Sequence, residues 1–433
     1  MATQPKTLPG PGALDTRRIA HLAEQPALFH AQRWFNRERA WINEQHLQLC
    51  RIPAATFFEQ QRAEWFREQL ESFGWIARLD RAGNMLAQFN ESTTPPIVVS
   101  AHLDTVFAPS RPEEVSLAPD GRLIGPGVSD NGSGLSALLA IARVLAELPD
   151  LDQMRNSLLL VANVGEEGEG NLSGMRYLCR QTTRNSEEGD LARMKAFIVL
   201  DGPSTDHVTA QALASRRFEI SFAGAGGHSW NDYGTPNPVH AMAHMISAFT
   251  EMAEQRLHID KTRSSYNFGI VEGGTSINSI PGSARTKLDL RSEESGLLDD
   301  LAGLLTAGVE RALERENRAV RAGRLTAKIK ELGSRPGGRL PAGSTLLQTV
   351  QAVDGYLKIR SRVDCASTDA NVPLSLGLPA ISIGAGGQGG GAHTKQEWYQ
   401  PDGREIGLRR ILLVLAAIVD SIRGEEPGST RAE

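Results

Sequence analysis

Histidines and carboxylates follow several apolar, strand-like runs of this 433-residue sequence. Imidazole nitrogens and carboxylate oxygens are donors that bind divalent metal ions, with zinc as the default for such a set. In open α/β sheets, side chains of this kind gather at the carboxyl ends of the strands. Two ions ~3.5–4 Å apart would acidify a bridging water and polarise a carbonyl. The pattern therefore predicts a two-metal hydrolytic site that contains His102, Asp104, Asp130, Glu166, Glu167, Asp201 and His393.

The segment SAHLDT places His102 and Asp104 two residues apart at the end of a strand. Residues at this spacing face the same side, so the carboxylate can accept the free ring N–H of a metal-bound histidine. A surface H-x-D at a strand exit is the alternative interpretation. Asp130, in GPGVSDNGSG, precedes a predicted helix, so in isolation the residue is better explained as an N-cap. The glycines around it favour a site, because they let the backbone pass close to a ligand.

Glu166 and Glu167 are adjacent, so their side chains point in different directions. One can bind a metal while the other reaches the water that the metal holds; the alternative is a solvated acidic turn. Asp201 ends an apolar strand and is either a ligand or a turn former. His393 follows GAGGQGGGA, where the ligand interpretation is favoured. The glycine-rich loop 384–391 itself is either a flexible connection or a set of N–H groups for an anionic substrate end.

Helical and strand-like patterns alternate through the first half of the chain, which predicts a mostly parallel sheet with helices on both faces. Helices are predicted over 55–73, 132–148 and 173–181, and strands over 84–89, 97–101, 158–164 and 196–200. The same pattern resumes near the end, with a helix over 345–356, a strand over 379–384 and a helix over 406–423.

Between these parts the pattern changes to the order β-α-β-β-α-β, which is typical of a ferredoxin-like module. Strands are predicted over 217–224, 266–271, 284–290 and 325–332, and helices over 238–255 and 295–315. The expected fold class is therefore α/β, with a catalytic domain over 1–211 and 333–433. An inserted α+β domain is expected over 212–332.

Composition excludes several classes of protein. A formal net charge of -5 gives no nucleic-acid footprint, and three separated cysteines without a CxxC motif argue against a disulfide framework. The N-terminus lacks an apolar signal core. The longest apolar run, 411–419, is far shorter than the ~20 residues that a membrane span needs. We expect a cytoplasmic protein that binds neither nucleic acid nor membrane.

Several motifs, in this order, resemble the zinc-dependent aminopeptidase/aminoacylase/carboxypeptidase superfamily. That superfamily includes tripeptidase T, glutamate carboxypeptidase, acetylornithine deacetylase and succinyl-diaminopimelate desuccinylase. The resemblance runs from about residue 50 to the C-terminus and leans toward the peptidase T-like side. The motifs are SAHLDTV, GVSDNGSG, GEEGEGNLSGMRYL, LDGPS, AGGHS, NSIPGSARTKLDLR, STDANVP and GAHTKQEWY.

The resemblance implies a role for each residue of the site. Asp130 would bridge two divalent ions, zinc or alternatively manganese or cobalt. His102 and Asp201 would complete the ligands of one ion, and Glu167 and His393 those of the other. Glu166 would be the general base and Asp104 would orient His102.

The resemblance also implies that the inserted domain over 212–332 is a lid or dimerisation domain, and that it contributes three further residues. The resemblance assigns His228 of AGGHS to the oxyanion, often in the partner subunit's site, so a homodimer is expected. From its residues alone, His228 is equally a turn residue. Asn278 and Arg291 fit positions where relatives bind the substrate's carboxylate or carbonyl, although Arg291 could instead pair with a nearby glutamate.

The expected function is a dinuclear-metal exopeptidase that cleaves small peptides through attack of a metal-bridging water. One alternative is an N-acyl or N-carbamoyl amino acid deacylase of the same fold. A second is a non-catalytic metal-binding paralogue, against which the adjacent Glu166 and Glu167 argue, because a pure metal binder needs no base beside a ligand.

Overall fold

The chain is divided near residues 211 and 339 into two units. The computed structural model describes residues 16–90, 97–184, 195–318 and 323–425. Residues Met1–Gln211 and Arg339–Glu433 form the first unit, and Ala212–Gly338 form the second.

The described residues begin with four consecutive helices, after which strands and helices are interspersed. The α-helices are α1 Thr16–Glu24, α2 Pro26–Arg37, α3 Arg39–Arg51, α4 Gln60–Ser72, α5 Gly132–Glu147, α6 Asp152–Asn156, α7 Ser173–Arg184, α8 Pro238–Ile259, α9 Ser295–Asn317, α10 Thr345–Leu357, α11 Asn371–Ser375 and α12 Arg404–Glu425. The strands are β1 Ile76–Leu79, β2 Met85–Gln88, β3 Ile97–His102, β4 Ser116–Leu117, β5 Leu123–Ile124, β6 Leu158–Asn163, β7 Ala196–Leu200, β8 His207–Ala212, β9 Ala214–Ala223, β10 Gly227–His228, β11 Ser264–Gly273, β12 Ser279–Ile280, β13 Ser283–Ser292, β14 Thr326–Arg335, β15 Gly338–Arg339, β16 Arg362–Ala366, β17 Ala380–Ile383, β18 Gln388–Gly390 and β19 Trp398–Gln400.

A nine-stranded sheet in the order β1-β2-β6-β3-β7-β17-β8-β15, with β16 paired to β8, forms the first unit's framework. The α/β class is confirmed, but the sheet is mixed. The neighbours β6, β3, β7 and β17 run parallel, whereas β1 with β2, β2 with β6, and β8 with β17 are antiparallel. A parallel pair needs a crossover of roughly a dozen or more residues. The connections from β1 to β2 and from β7 to β8 are too short for such a crossover, so the following strand runs in the opposite direction.

The central strands and the longest helix beside them are buried because their sequences are apolar on every side. Each residue of β3 is buried, and IVVSAH combines β-branched residues with small ones, as central strands do. Helix α5 is likewise apolar around most of its circumference and almost wholly buried. The Asn131 side chain caps it by accepting a hydrogen bond from the Gly134 N–H, at 3.1 Å.

The predicted helix over 55–73 begins too early, because α4 starts at Gln60. Ala55 instead forms a parallel bridge with Thr105, and Phe57 has a left-handed backbone with φ of 75°. Neither conformation continues into a helix. The helix does end before Gly74, whose φ is 87°. The other predicted helices and strands are confirmed with shifted ends.

The second unit is an antiparallel sheet in the order β11-β13-β9-β14, covered by α8 and α9. Its β-α-β-β-α-β sequence is the predicted ferredoxin-like order. The side chains of Phe218, Ile220 and Phe222 alternate along β9 and pack into one apolar core with residues such as Phe249 and Leu301. The strand β14 extends past residue 332, where we expected the unit to end.

No helix among the described residues combines the length and apolarity that crossing a bilayer requires.

Candidate metal centre

Parallel strands bring the predicted residues to one edge of the sheet in the first unit. His102 is the last residue of β3, Asp201 follows β7, and Glu166 and Glu167 lie just beyond the end of β6. These three strands are neighbours in parallel register, so their carboxyl ends meet. Asp130 arrives at the same place ahead of α5.

The Asp130 carboxylate lies between two histidines and faces each with a different oxygen. Its Oδ1 is 3.1 Å from the Nε2 of His102, and its Oδ2 is 3.1 Å from the Nε2 of His393. Glu167 Oε1 lies 3.0 Å from the same His393 nitrogen, and Asp201 Oδ1 lies 3.9 Å from the His102 nitrogen. The side chains thus form two nitrogen–oxygen groups that share one carboxylate.

The donor set and its spacing fit divalent cations. Two ligand atoms of one tetrahedral zinc ion lie ~3.3 Å apart, given metal–ligand distances of ~2.0–2.1 Å. The ligand atoms of His102, Asp130 and Glu167 all lie within 4.8 Å of one another. Burial and the nearby charge of Asp130 raise the pKa of Asp201 well above its usual range and that of Glu167 to about 7. These acids repel one another, and bound cations would relieve that repulsion.

Asp104 makes contacts that the sequence did not predict. The His102 Nδ1 lies 3.0 Å from the backbone carbonyl of Asp104, and 3.5 Å from its carboxylate. The carboxylate instead accepts the backbone N–H groups of Glu166 and Glu167, at 3.0 and 2.9 Å, and the hydroxyl of Thr56, at 3.0 Å. Asp104 therefore holds the backbone of the adjacent glutamates, while its own backbone fixes the histidine ring.

Glu166 is buried beside these groups, with 5% of its surface exposed. Its charge acts on His102 and Asp201 in one half and on Glu167 in the other. A carboxylate in this position lies within electrostatic reach of both halves of the centre.

Glu397 is a functional residue that sequence reasoning missed. Its carboxylate is 2% exposed and accepts the backbone N–H groups of Gly127, Ser129 and Asp130, at 2.8, 2.7 and 2.7 Å. Burial raises its pKa to about 7, against the effect of these donors. Glu397 therefore fixes the loop that presents Asp130. The signal in the sequence was its position four residues after His393.

The N-terminal helices also support this loop, although their sequence carried no motif. His46 of α3 donates from Nε2 to the Val128 carbonyl at 2.7 Å, and Arg404 donates to its Nδ1 at 2.7 Å. Burial and the charge of Arg404 lower the pKa of His46, so the ring is neutral in this tautomer. The thiol of Cys50 lies 3.5 Å from the Gly127 carbonyl.

Asp369, in the STDANVP motif, was also missed as a site residue. It is buried, and its Oδ2 accepts the Asn163 amide at 2.6 Å. Asn163 is paired in register with His102 on the neighbouring strand. Burial and the charge of Glu166 raise the pKa of Asp369 to about 7.

The glycine-rich run beside His393 allows close packing of loops. A Cβ at Gly389 would lie 2.1 Å from the Ser129 hydroxyl, and one at Gly384 would lie 2.2 Å from the Pro203 carbonyl. The N–H groups of Ala385 and Gly386 donate to backbone carbonyls at 2.9 and 3.0 Å. The glycines thus let this loop lie against those that carry Asp130 and Asp201.

His228, Asn278 and Arg291 lie in the second unit. His228 is exposed and pairs with Ser279 between β10 and β12, and its Nδ1 accepts the Trp230 N–H at 3.2 Å. Asn278 is exposed and accepts the Ser276 hydroxyl at 2.8 Å. Arg291 is on β13 and donates to Asp289 at 2.8 Å.

The chain matches two protein families over adjoining stretches. Residues 84–229 match Peptidase family M28, and residues 214–317 match the peptidase dimerisation domain.

The chain is also similar to individual peptidases and deacylases. It is 23% identical over 288 residues to a probable carboxypeptidase of Aspergillus clavatus, a match that covers 61% of this chain and 65% of that protein's length. It is 24% identical over 283 residues to the succinyl-diaminopimelate desuccinylase of Phenylobacterium zucineum, covering 62% and 71%. A tripeptidase structure from Staphylococcus aureus has the same fold, with a TM-score of 0.70 at 18% identity, covering 88% of this chain and 98% of that one.

Proposed function

Because this chain belongs to the zinc metallopeptidase/aminoacylase superfamily, we propose that it is an amide hydrolase that cleaves small peptides as an exopeptidase. The observation that carries this proposal is the Asp130 carboxylate, which faces one histidine with each oxygen. Beside it, Glu166 and Glu167 are adjacent, buried and held by Asp104.

Five residues would hold two divalent ions, zinc by default. His102 and Asp201 belong to one group and Glu167 and His393 to the other, and Asp130 is common to both. When bound, the ions would act as Lewis acids that lower the pKa of a water molecule and polarise the scissile carbonyl.

Glu166 would serve as the general base. It would accept a proton from the attacking water and deliver that proton to the departing nitrogen. Burial keeps this carboxylate out of bulk solvent, and the Asp104 carboxylate fixes its backbone N–H at 3.0 Å. Asp104 also positions the His102 ring through its backbone carbonyl.

The second unit would contribute substrate contacts. His228 would stabilise the oxyanion, and Asn278 and Arg291 would bind the substrate's carboxylate or carbonyl. In support, His228 and Asn278 are both exposed. They also lie close together, because the N–H of Ser229, the residue after His228, donates to the Asn278 carbonyl at 3.0 Å.

The match of residues 214–317 to a peptidase dimerisation domain supports a homodimer. The substrate would be a small peptide or an N-acyl amino acid rather than a macromolecule. A reducing compartment such as the cytoplasm fits Cys50, Cys179 and Cys365, none of which is in a disulfide.

Deacylation of N-acyl amino acids is the second candidate function. The similarity to a succinyl-diaminopimelate desuccinylase favours it, and the same metal ligands and base would serve both reactions. The two candidates differ in the group on the substrate nitrogen.

The test is turnover by protein loaded with zinc or manganese on a paired panel of substrates. One half would contain di- and tripeptides with free amino groups, and the other N-acetyl, N-succinyl and N-carbamoyl amino acids. Cleavage of the first half alone indicates an exopeptidase, and cleavage of the second alone a deacylase. If neither half is cleaved although metal is bound, the protein is a non-catalytic metal binder.

Glu166→Gln is the matched variant for this panel. We expect at least ~100-fold lower kcat, because a general base contributes roughly that much or more, with metal content unchanged. Metal analysis of both proteins separates loss of the base from loss of the ions. Full activity in the variant contradicts the assignment of Glu166.

A further inference from the structure

A short loop between α3 and α4 exposes two large aromatic side chains. Phe57 and Phe58 are 62% and 76% exposed. Phe57 also has a φ of 75°, which is unusual for a bulky residue, and such conformations cluster at ligand sites. We call residues 54–59 the aromatic loop.

Three hydrogen bonds join the aromatic loop to the segments that carry the candidate metal centre. The Thr105 N–H donates to the Ala54 carbonyl at 2.9 Å, and the Thr56 hydroxyl donates to the Asp104 carboxylate at 3.0 Å. Glu59 accepts the Gly165 N–H at 3.0 Å, immediately before Glu166. The exposed aromatic rings therefore stand on a segment fixed to the residues that position His102 and Glu166.

A second pair of apolar side chains emerges beside the loop. Val106 and Phe107 follow Thr105 and are 42% and 43% exposed. Ala55 and Thr105 form a parallel bridge, so the two segments are neighbours at the residues just before the two apolar pairs. Clustered apolar side chains on an exposed surface commonly mark a place where a ligand binds.

A cavity of about 640 Å³ opens at the aromatic loop and is lined by Phe57, Phe58, Ile52 and Trp65, with amide and carboxylate side chains completing the wall. Its size falls within the range of small-molecule sites. The residues that line it include no lysine or arginine, so the cavity offers no partner for a negatively charged side chain.

We propose that the aromatic loop, with Val106 and Phe107, is the subsite for a bulky apolar side chain of the substrate. The substrates would then be small peptides or N-acyl amino acids with a leucine-, methionine- or phenylalanine-like residue beside the scissile bond. This inference rests on the proposed amide hydrolase function. It assigns to the first unit a part of specificity that the second unit's polar residues do not supply.

The test compares KM for matched substrates that differ only in a leucine or a glycine beside the scissile bond. Metal-loaded wild-type protein is expected to favour leucine by about 10-fold or more, a ratio typical of apolar pockets. Phe58→Ser should reduce this preference several-fold. Phe57→Gly should do the same, with a residue that accepts the left-handed backbone.

Phe29→Ser is the matched control, because Phe29 is 46% exposed on α2 and belongs to neither apolar pair. Its leucine-to-glycine ratio should equal that of the wild type. Equal KM values for both substrates in the wild type, or a preference for an acidic side chain, overturn the subsite. So does an unchanged preference in both loop variants. Thermal melting shows whether each variant is folded, and Phe107→Ser approaches the same subsite from the other segment if one is not.

A binding measurement separates this inference from the hydrolytic function. Calorimetry with metal-loaded Glu166→Gln would give Kd for the same uncleaved leucine and glycine substrates, with and without Phe58→Ser. Tighter binding of leucine that Phe58→Ser weakens supports the subsite even when no substrate of the panel is hydrolysed, which would overturn only the proposed function. Equal binding of both substrates overturns the subsite whatever the turnover.

Discussion

At the scale of single residues, Asp130 organises the candidate centre. Its two oxygens lie 3.1 Å from nitrogens of His102 and His393, residues far apart in the sequence. The alternative role of an N-cap falls to its neighbour Asn131, whose side chain accepts the Gly134 N–H. A carboxylate released from capping is available to two partners, as a shared ligand must be.

Asp104 offers a sharp test at this scale. We expect Asp104→Asn to lower metal affinity and activity by roughly 10–100-fold, the usual effect of removing a partner that orients ligands. The amide NH₂ would face a backbone N–H of Glu166 or Glu167, so that donor would lose its acceptor. Metal titration and kcat/KM measure the two losses.

Thr56→Val is the control for that substitution, because it removes the hydroxyl donor and leaves both backbone hydrogen bonds to Asp104 in place. Its effect should be clearly smaller than that of Asp104→Asn. If the two variants are equally impaired, the importance of Asp104 lies in the aromatic loop rather than in the glutamate backbone.

At the scale of elements, the centre consists of strand ends and the loops that follow them. Strands β3, β6 and β7 deliver their residues through parallel pairing, as their apolar runs predicted. The loop before α5 does not continue a strand of the sheet, and side chains such as Glu397 from other parts of the chain hold it. Glycines at 384 and 389 let a further loop pack against it.

Glu397→Gln tests how this loop is held. In the wild type each carboxylate oxygen accepts a backbone N–H group. In the variant one of these oxygens is replaced by an NH₂ group, which cannot accept, so a backbone N–H group loses its acceptor. A buried donor left without an acceptor costs about 1–3 kcal/mol. We expect a lower melting temperature and weaker metal binding through displaced Asp130, measured by calorimetry.

Glu113→Gln makes the same chemical change at an exposed position of the same unit. It should leave both measurements as in the wild type. If Glu397→Gln melts like the wild type and binds metal equally well, the loop does not depend on this carboxylate.

At the scale of the whole molecule, the N-terminal helices complete the first unit. Arg18 pairs with Asp420 on α12, and the Trp34 indole donates to Glu147 on α5 at 2.6 Å. His46 and Cys50 reach the loop before Asp130. Residues without a recognisable motif therefore support the loop that presents a central ligand.

The proposed homodimer is a property of the whole molecule, and we expect it to form at β11. This strand is at the edge of the second unit's sheet, and its Ile270 and Val271 are exposed. Edge strands are available for pairing with a second chain. Sedimentation should give about twice the 46.9 kDa of one chain.

Val271→Lys should favour the monomer, because a charged side chain on an edge strand opposes pairing with a second chain. Thr326→Lys, on the opposite edge strand β14, should remain dimeric. If the wild type sediments as a monomer, the dimer proposal is wrong. If Thr326→Lys dissociates and Val271→Lys does not, the interface is at the other edge.

The sequence by itself determined the α/β class, the ferredoxin-like insertion and the residues gathered at the strand ends. These follow from local periodicity, since apolar runs specify strands and parallel pairing places their ends together. For the same reason the positions of His102, Glu167 and Asp201 at neighbouring strand ends were predictable, whereas the separations of their atoms were not.

Only the tertiary structure decided what holds those residues in place. Glu397 accepts N–H groups 267 to 270 positions away, and Asn163 donates to an aspartate 206 positions away. The early start predicted for α4 has the same origin, because Ala55 pairs with Thr105 instead of continuing the helix. Contacts of this kind depend on which distant segments pack together, and the local sequence pattern does not specify that packing.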